Sequence, residues 1–211
     1  MKLIVKQEEP KAFIDWKAMA NPDWQPTYHV LRGTIKKTVK EALMAEQGGI
    51  CCYCERRLAD NDSHIEHFRP QRDPDLNPLD FTNMLCSCQD QLKKGVPRHC
   101  GNLKDNWFDD ALLISPLDPS CESRFAFTGD GEISPELSTD IAASETITRL
   151  GLDIRKLDAL RASAIEPFLE DSLSENEMRQ FVSGYLQKGR NGMYGEFWMT
   201  IRYLFGGYAT A

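Results

Sequence analysis

The clearest periodic pattern along the chain lies in residues 28–47, YHVLRGTIKKTVKEALMAEQ, where apolar side chains return every three or four positions. That spacing is typical of one face of an α-helix. The apolar face consists of Leu31, Ile35, Val39, Ala42 and Leu43. Gly48 and Gly49 follow it and predict the end of the helix, because glycine is the usual residue just past a helical C-terminus.

The polar face of this helix is basic, with Arg32, Lys36, Lys37 and Lys40. A solvated surface is the simpler interpretation of these charges, and a phosphate-binding stripe is the alternative. The preceding residues 1–26 contain three prolines and no long periodic run. They predict an irregular arm with a short strand at Leu3–Val5.

The second half of the chain alternates between a hairpin pattern and helical patterns. Residues 125–133, FAFTGDGEI, predict a hairpin that turns at Gly-Asp-Gly. A helix should end near Gly151, and residues 154–173 carry apolar positions at helical spacing. Ser174 and Glu177 have the spacing of a capping box. The apolar residues 195–208, GEFWMTIRYLFGGY, indicate a buried helix or a contact surface.

Residues 50–105 lack long periodic segments and are rich in residues that bind metals. Six of the seven cysteines lie between positions 51 and 100. In a reducing compartment such a cluster favours metal ligands over disulfides. Cys51 and Cys54 have the spacing of one zinc knuckle, and a structural zinc needs a second pair. We expect Cys88 and Cys100, with His99 or Cys86 as substitutes.

The remaining cysteines need no chemical role. Cys52 and Cys86 are interpreted as small buried residues, and Cys121 as a spare thiol. A zinc satisfied by four thiolates would leave the histidines of residues 63–70, SHIEHFRP, free for another task. Glu66 offers hard oxygen ligands suited to Mg²⁺ or Mn²⁺. A neutral His67 beside it can take a proton from water near neutral pH.

Four short patterns, taken together and in this order, resemble the HNH nucleases: Cys-x-x-Cys, acid-His-x-x-Pro, Asn five residues before a Cys, and Cys-x-x-x-Lys. Their elements here are Cys51/Cys54, residues 66–70, Asn83 with Cys88, and Cys100 with Lys104. Longer segments around these patterns are similar to PtuB-like HNH subunits of Septu and retron-associated anti-phage systems. These segments are GGICCYCERRL, HIEHFRPQ, NMLCSC, HCGNLK and TITRLGLD. The resemblance covers roughly residues 30–160.

The resemblance implies an α+β fold, in which a ββα-metal (HNH) core stabilised by a four-cysteine zinc site is flanked by an N-terminal helix and a C-terminal helical region. It implies that His67 is the general base, that Glu66 binds the divalent ion, and that Asn83 hydrogen-bonds near His67 and orients its ring. His64 would bind the ion, contact the scissile phosphate or protonate the leaving oxygen. The family's last metal ligand falls nearest Gly101, with Asn102 as the polar alternative.

Three cations, Arg69, Arg98 and Lys104, are candidates for contact with substrate phosphate, although plain surface charge explains each equally well. The resemblance further implies nucleic acid as substrate, DNA or a structured RNA such as tRNA. It implies a PtuA-like ATPase as partner, and a retron reverse transcriptase with its RNA/DNA hybrid as a further one. Residues 1–48 would form the arm and helix, 49–110 the nuclease core, and 111–211 a partner-binding hairpin and helical region.

Charge and hydropathy limit these possibilities. The net charge is −7, and residues 106–211 contain 17 acidic against 9 basic side chains. Unaided tight binding of nucleic acid usually needs a basic surface, so this balance favours a subunit with a partner. No signal peptide or membrane span is evident, which predicts a cytoplasmic protein without membrane contact. A non-catalytic zinc adaptor is the main alternative, and a Cys51/Cys54 redox protein a weaker one.

Overall fold

Seven helices and two small antiparallel sheets make up the part of the chain that the computed structural model describes, residues 1–91, 94–169 and 173–209. The helices are α1 (Lys11–Ala18), α2 (Gly33–Glu46), α3 (Gly101–Lys104), α4 (Ile141–Leu150), α5 (Arg155–Ile165), α6 (Glu175–Leu186) and α7 (Trp198–Phe205). The strands are β1 (Ser63–His67), β2 (Met84–Cys88), β3 (Phe125–Phe127) and β4 (Ile133–Pro135). The architecture is therefore α+β, as predicted.

The N-terminal region agrees with the sequence in α2 and differs from it in the arm. Val39 and Leu43 on the predicted apolar face of α2 are fully buried. The predicted strand at Leu3–Val5 is wrong, because Ile4 makes a single backbone hydrogen bond, to Pro116 O at 2.8 Å, and no ladder follows. Helix α1 was not predicted, since its eight residues bury only Phe13 and therefore show little periodicity.

Strands β1 and β2 form the hairpin that carries the polar cluster of residues 63–70. They pair antiparallel, with Ser63 opposite Cys88 and His67 opposite Met84. Helix α3 follows directly after Cys100. The order of strand, strand and short helix is the ββα arrangement that the resemblance implied, and Gln47 fastens α2 to it by accepting a hydrogen bond from Cys86 N at 2.7 Å.

The predicted C-terminal elements are largely confirmed. Strands β3 and β4 form the expected hairpin, and Gly151 ends α4 with a φ of +56°. The capping box of Ser174 and Glu177 begins α6. The helical pattern of residues 154–173 is shorter than predicted, because α5 stops at Ile165 and a 3₁₀ turn follows; residues 170–172 lie outside the described part of the chain.

Helix α7 is the buried helix that residues 195–208 predicted, with Met199 and Ile201 in the interior. Its first turn lies on the zinc knuckle, where Met199 N donates a hydrogen bond to Glu55 Oε2 at 2.7 Å. Arg57 N also donates to Glu196 Oε1 at 2.6 Å. The knuckle and the C-terminal region therefore pack as one unit. Among the described residues, no helix combines the length and apolarity needed to traverse a lipid bilayer.

Candidate metal and catalytic centre

Four buried cysteines from three separate segments converge beneath the β1–β2 hairpin. The Sγ atoms of Cys51, Cys54, Cys88 and Cys100 all lie within 4.8 Å of one another. A tetrahedral zinc with bonds of about 2.3 Å would separate its sulfurs by about 3.8 Å, and the Cys54–Cys88 separation is 3.6 Å. The four residues that the spacing grouped together therefore form a cluster that could hold zinc.

The four clustered thiols differ in acidity. Burial raises the pKa of the Cys51 thiol, but hydrogen bonds from the Cys100, Cys52 and other neighbouring thiols outweigh it and lower that pKa well below its ordinary value. Burial also raises the pKa of Cys54, and hydrogen bonds with the Cys100 and Cys88 thiols bring it down to about 7. Burial and the hydrogen bonds shared with Cys51 and Cys54 raise the pKa of the Cys100 thiol well above its ordinary value. A hydrogen bond with Cys100 lowers the pKa of the Cys88 thiol, but the hydrogen bonds with Cys51 and Cys54, together with burial, outweigh it and raise that pKa well above its ordinary value. His99, one proposed substitute ligand, places Nδ1 3.1 Å from the Cys100 sulfur.

The two cysteines expected to be inert lie outside this cluster. Cys52 and Cys86 are buried, and burial is the largest cause that raises the pKa of both thiols. Cys121 is also buried, and its Sγ donates to Met1 O at 3.4 Å. None of the three belongs to the group of four sulfurs within the described residues.

Glu66 is a buried carboxylate whose two oxygens have different surroundings. Oε1 lies 2.9 Å from Lys104 Nζ and accepts a hydrogen bond from Tyr53 OH at 3.1 Å. Oε2 lies 3.6 Å from His64 Nε2. A buried carboxylate needs such a cationic partner, since an unpaired charge in the interior is costly. Oε1 is thus occupied by its contacts with Lys104 and Tyr53, whereas Oε2 is directed toward His64.

The space beside Oε2 is open because residue 101 is glycine. A Cβ at Gly101 would lie 2.4 Å from Glu66 Oε2 and 2.8 Å from His64 Nε2. His64 Nδ1 is buried and has no hydrogen-bond partner among the described residues, so no contact fixes the tautomer and Nε2 can carry a lone pair. The carboxylate oxygen is a ligand that suits Mg²⁺ or Mn²⁺, and the imidazole nitrogen is one that suits transition-metal ions, so the pair beside the glycine could hold a divalent ion.

Contacts at both ring nitrogens fix the tautomer of His67. Its Nε2 lies 2.9 Å from Pro78 O, and since a carbonyl can only accept, Nε2 carries the proton. Nδ1 therefore has a lone pair, toward which Gln71 Nε2 points at 3.3 Å. The Tyr28 ring stands edge-on to the imidazole, with centroids 4.6 Å apart. Burial lowers the pKa of His67, which keeps the ring neutral.

A surface cleft joins these groups, which we call the active-site cleft. Its lining includes His64, Glu66, His67, Gln71, Arg72 and Gly101. The cleft brings the candidate base and the candidate divalent-ion ligands to one surface. The four cysteine sulfurs lie on the buried side of the same hairpin and do not line it.

Asn83 has a different role from the one that the resemblance implied. Its Oδ1 accepts a hydrogen bond from Arg69 N, and its Nδ2 donates to Arg69 O, each at 2.9 Å. The amide therefore fastens the loop that leaves β1, and the His67 ring is oriented by Pro78 and Gln71. Asn83 immediately precedes β2. From that position its side chain reaches the backbone just beyond His67 and does not hydrogen-bond to the His67 ring.

Two further expectations are corrected. Lys104 is buried and its ammonium contacts Glu66 and His67 O, so it cannot reach substrate phosphate. Asn102 Nδ2 donates to Gln89 O, and Asn102 does not line the active-site cleft. Asn102 is therefore not directed toward Glu66 Oε2, where His64 Nε2 lies instead at 3.6 Å.

The other two phosphate candidates remain predictions. Arg69 pairs with Asp73 at 2.9 Å and lies over the Phe108 ring, which leaves its side chain 36% exposed. Arg98 is exposed and does not line the active-site cleft.

The sequence pattern gave no signal for several residues that complete the centre. Tyr53 lies between the knuckle cysteines and looks like a spacer, yet its hydroxyl holds Glu66. Pro78, Gln71 and Tyr28 contact His67 from a loop and from the start of the α2 region. Arg72 lines the cleft and lies two residues beyond the motif. Only the strand register and the loop path reveal these contacts.

Comparison with known proteins agrees with this geometry. No family model matches the chain. The chain is 31% identical over 139 residues to a protein of Vibrio cholerae serotype O1 biovar El Tor that is named as a proposed HNH endonuclease of retron Vc95. The match covers 63% of this chain and spans 65% of that relative, just under two thirds of its length. The chain thus combines a ββα hairpin, a four-cysteine cluster and similarity to an HNH endonuclease from a retron.

Proposed function

We propose that this chain is a metal-dependent HNH endonuclease that hydrolyses phosphodiester bonds of nucleic acid. The observation that carries the proposal is the tautomer of His67, a residue that lines the cleft: its Nε2 donates to Pro78 O, and its Nδ1 carries the lone pair, which Gln71 Nε2 approaches at 3.3 Å. A base with that geometry, beside a carboxylate and an imidazole that can hold a hard cation, suits hydrolysis of a phosphodiester.

Each side chain has a distinct part in the proposed reaction. His67 Nδ1 takes a proton from the attacking water, and Pro78 O stabilises the resulting imidazolium through Nε2–H. Glu66 Oε2 and His64 Nε2 would hold Mg²⁺ or Mn²⁺. When bound, that ion supplies positive charge to the phosphate oxygens and the leaving oxygen. Lys104 and Tyr53 hold Glu66 in its orientation, and zinc on the four cysteines would support the hairpin.

Cleavage by the zinc-loaded full chain tests the proposal. The chain is incubated with supercoiled plasmid, and separately with a tRNA pool, in Mg²⁺ or Mn²⁺. His67→Ala should abolish cutting while the zinc content stays near that of the wild type, with a lower melting temperature because the contacts with Pro78 O and Tyr28 are lost. Gln180→Ala on the exposed side of α6 is the control and should cut at the wild-type rate. Cutting by His67→Ala at the wild-type rate would remove His67 as the base.

The non-catalytic zinc adaptor predicts a different result in the same assay. Neither nucleic acid would be cut, and the wild type and His67→Ala would behave alike. Cys54→Ser would still abolish any biological effect, since it removes a zinc ligand. Protection of cells that depends on His67 as well as on Cys54 therefore separates the enzyme from the adaptor.

We further propose that the nuclease acts in anti-phage defence beside a PtuA-like ATPase, in a retron that also contains a reverse transcriptase with its RNA/DNA hybrid. The retron named for the relative supports this context. The acidic balance of residues 106–211 supports a partner that contributes basic surface. Co-purification of the chain with the products of neighbouring genes tests it; elution of the chain as a monomer after mixing with such an ATPase would contradict it.

A further inference from the structure

A basic segment of this acidic protein adjoins the active-site cleft. Residues 28–40 contain four Lys or Arg and no Asp or Glu, although the whole chain carries a net charge of −7. The segment comprises the 3₁₀ turn at Tyr28–Val30 and the first two turns of α2. Its charges were interpreted from sequence as a solvated surface, but their position in the fold points to a binding role.

Two depressions beside α2 share lining residues with the active-site cleft. The first, which we call the α2 cleft, is lined by the cations Lys36, Lys37 and Lys40, by Tyr28 and His64, and by two carboxylates, Asp60 and Asp90; it shares His64 with the active-site cleft. The second includes Tyr28, Arg32, Lys36 and Gln71, and meets the active-site cleft at Gln71. The basic surface of α2 therefore leads to the candidate base and ion ligands on both sides of Tyr28.

The cations in these depressions differ in how far they are already neutralised. Lys40 lies 2.7 Å from Asp60 Oδ1 and also donates to Ser63 O, so it holds the start of β1. Arg32 and Lys36 are exposed, and no carboxylate lies within 4.0 Å of either among the described residues. Lys37 approaches Glu41 at 3.8 Å, with side chains 61% and 59% exposed, and such a pair contributes little.

From this juxtaposition we propose that Arg32, Lys36 and Lys37 bind the phosphodiester backbone of the nucleic acid on the stretch that flanks the scissile phosphate. The proposal rests on the proposed function and extends it, since it gives the substrate a path to His67. Within the described residues, Arg32 and Lys36 have no carboxylate partner and Lys37 has only an exposed one, so these three cations can contact successive phosphates even though Asp60 and Asp90 also line the α2 cleft. Neutralising phosphates is the main source of sequence-independent affinity. Arg69 and Arg98 are not needed for this path.

Salt dependence of binding tests the proposal without requiring cleavage. Fluorescence anisotropy of a labelled DNA duplex, and of a labelled single-stranded RNA of the same sequence, is followed over a salt series without added divalent ion. The test variant is Arg32→Gln/Lys36→Gln/Lys37→Gln in the zinc-loaded full chain. The control, Lys11→Gln/Arg155→Gln/Arg190→Gln, removes the same charge from three exposed cations on other elements. Melting temperature and zinc content confirm that both variants fold.

The slope of log affinity against log salt should fall by about 2–3 in the test variant on duplex DNA, because each lost phosphate contact removes about 0.9. On a single strand the expected fall is about 2, at about 0.7 per contact. The control should change either slope by less than about 1. A fall close to the expected value on one nucleic acid and close to zero on the other identifies the first as the nucleic acid bound along α2.

Three results would each overturn the proposed path. The first is an equal slope for the wild type and the test variant, the second is an equal change of slope in the test and control variants, and the third is no salt-dependent binding by the wild type. Failure of the nuclease assignment has a different signature. In that case the slope would still fall in the test variant, but the wild type would cut neither nucleic acid in Mg²⁺ or Mn²⁺.

Discussion

Gly101→Ala is the substitution that most sharply probes the ion site, because it adds one methyl group between the two proposed ligands. The new Cβ would lie 2.4 Å from Glu66 Oε2, where ordinary contact begins at 3.4 Å. The carboxylate would therefore have to move by about 1 Å, and misplacement of a reacting group by that distance can reduce a rate about 100-fold. We expect such a loss in the cleavage rate.

The fold should tolerate the same change. Gly101 lies in α3 without a positive φ, and alanine in a helix is favoured over glycine by about 0.5–1 kcal/mol. The four cysteines are not displaced by the methyl group, so zinc content should stay unchanged. The carboxylate can move only by loosening its contacts with Lys104 and Tyr53, so this overpacking should offset the helix gain by about 1–3 kcal/mol without unfolding the chain.

The assay is plasmid cleavage across a Mn²⁺ titration, with Gly184→Ala as the matched control. Gly184 lies in α6 and nothing lies within 4 Å of the position that its Cβ would take. The control should therefore cut at the wild-type rate. Gly101→Ala should need more Mn²⁺ and should remain slow at saturation. Wild-type cutting and wild-type Mn²⁺ dependence in Gly101→Ala would refute the placement of the ion between Glu66 and His64.

Three other variants test the supporting structure. Lys104→Met should lower the free energy of unfolding by about 3–5 kcal/mol, because it leaves Glu66 buried without its cation; Mn²⁺ should raise the melting temperature of this variant more than that of the wild type, and an equal rise would contradict the pairing. Asn83→Ala removes two hydrogen bonds to Arg69 and should cost about 1–3 kcal/mol in chemical denaturation, with slower cutting; unchanged stability would contradict its role in the loop. Cys54→Ser should lose zinc by metal analysis and unfold at lower temperature, since metal binding is coupled to folding; full zinc retention would contradict the four-cysteine set.

Local signals predicted the elements whose structure depends on neighbours in sequence. Helix α2 follows from its apolar spacing, the β3–β4 hairpin from its Gly-Asp-Gly turn, and the start of α6 from the capping box of Ser174 and Glu177. The convergence of the four cysteines was accessible in part: the spacing of Cys51 and Cys54 indicated one half of a zinc site, and Cys88 and Cys100 were the preferred second pair, with His99 or Cys86 as substitutes.

Contacts between distant segments could not be predicted in this way. Lys104 and Glu66 are far apart in sequence, and only the approach of α3 to β1 turns an expected phosphate contact into a buried ion pair. Asn83 was expected at the His67 ring, but the register of β1 and β2 places it on the Arg69 backbone. Helix α1 was missed because burying Phe13 alone leaves no repeating pattern.

The most direct test of the central claim is a crystal structure of the zinc-loaded chain soaked in Mn²⁺, with anomalous scattering measured separately for the two metals. The account predicts zinc among the four cysteine sulfurs and manganese bound by Glu66 Oε2 and His64 Nε2, with His67 Nδ1 free of metal. Zinc bound by His64 or His67, or manganese absent from Glu66, would contradict it.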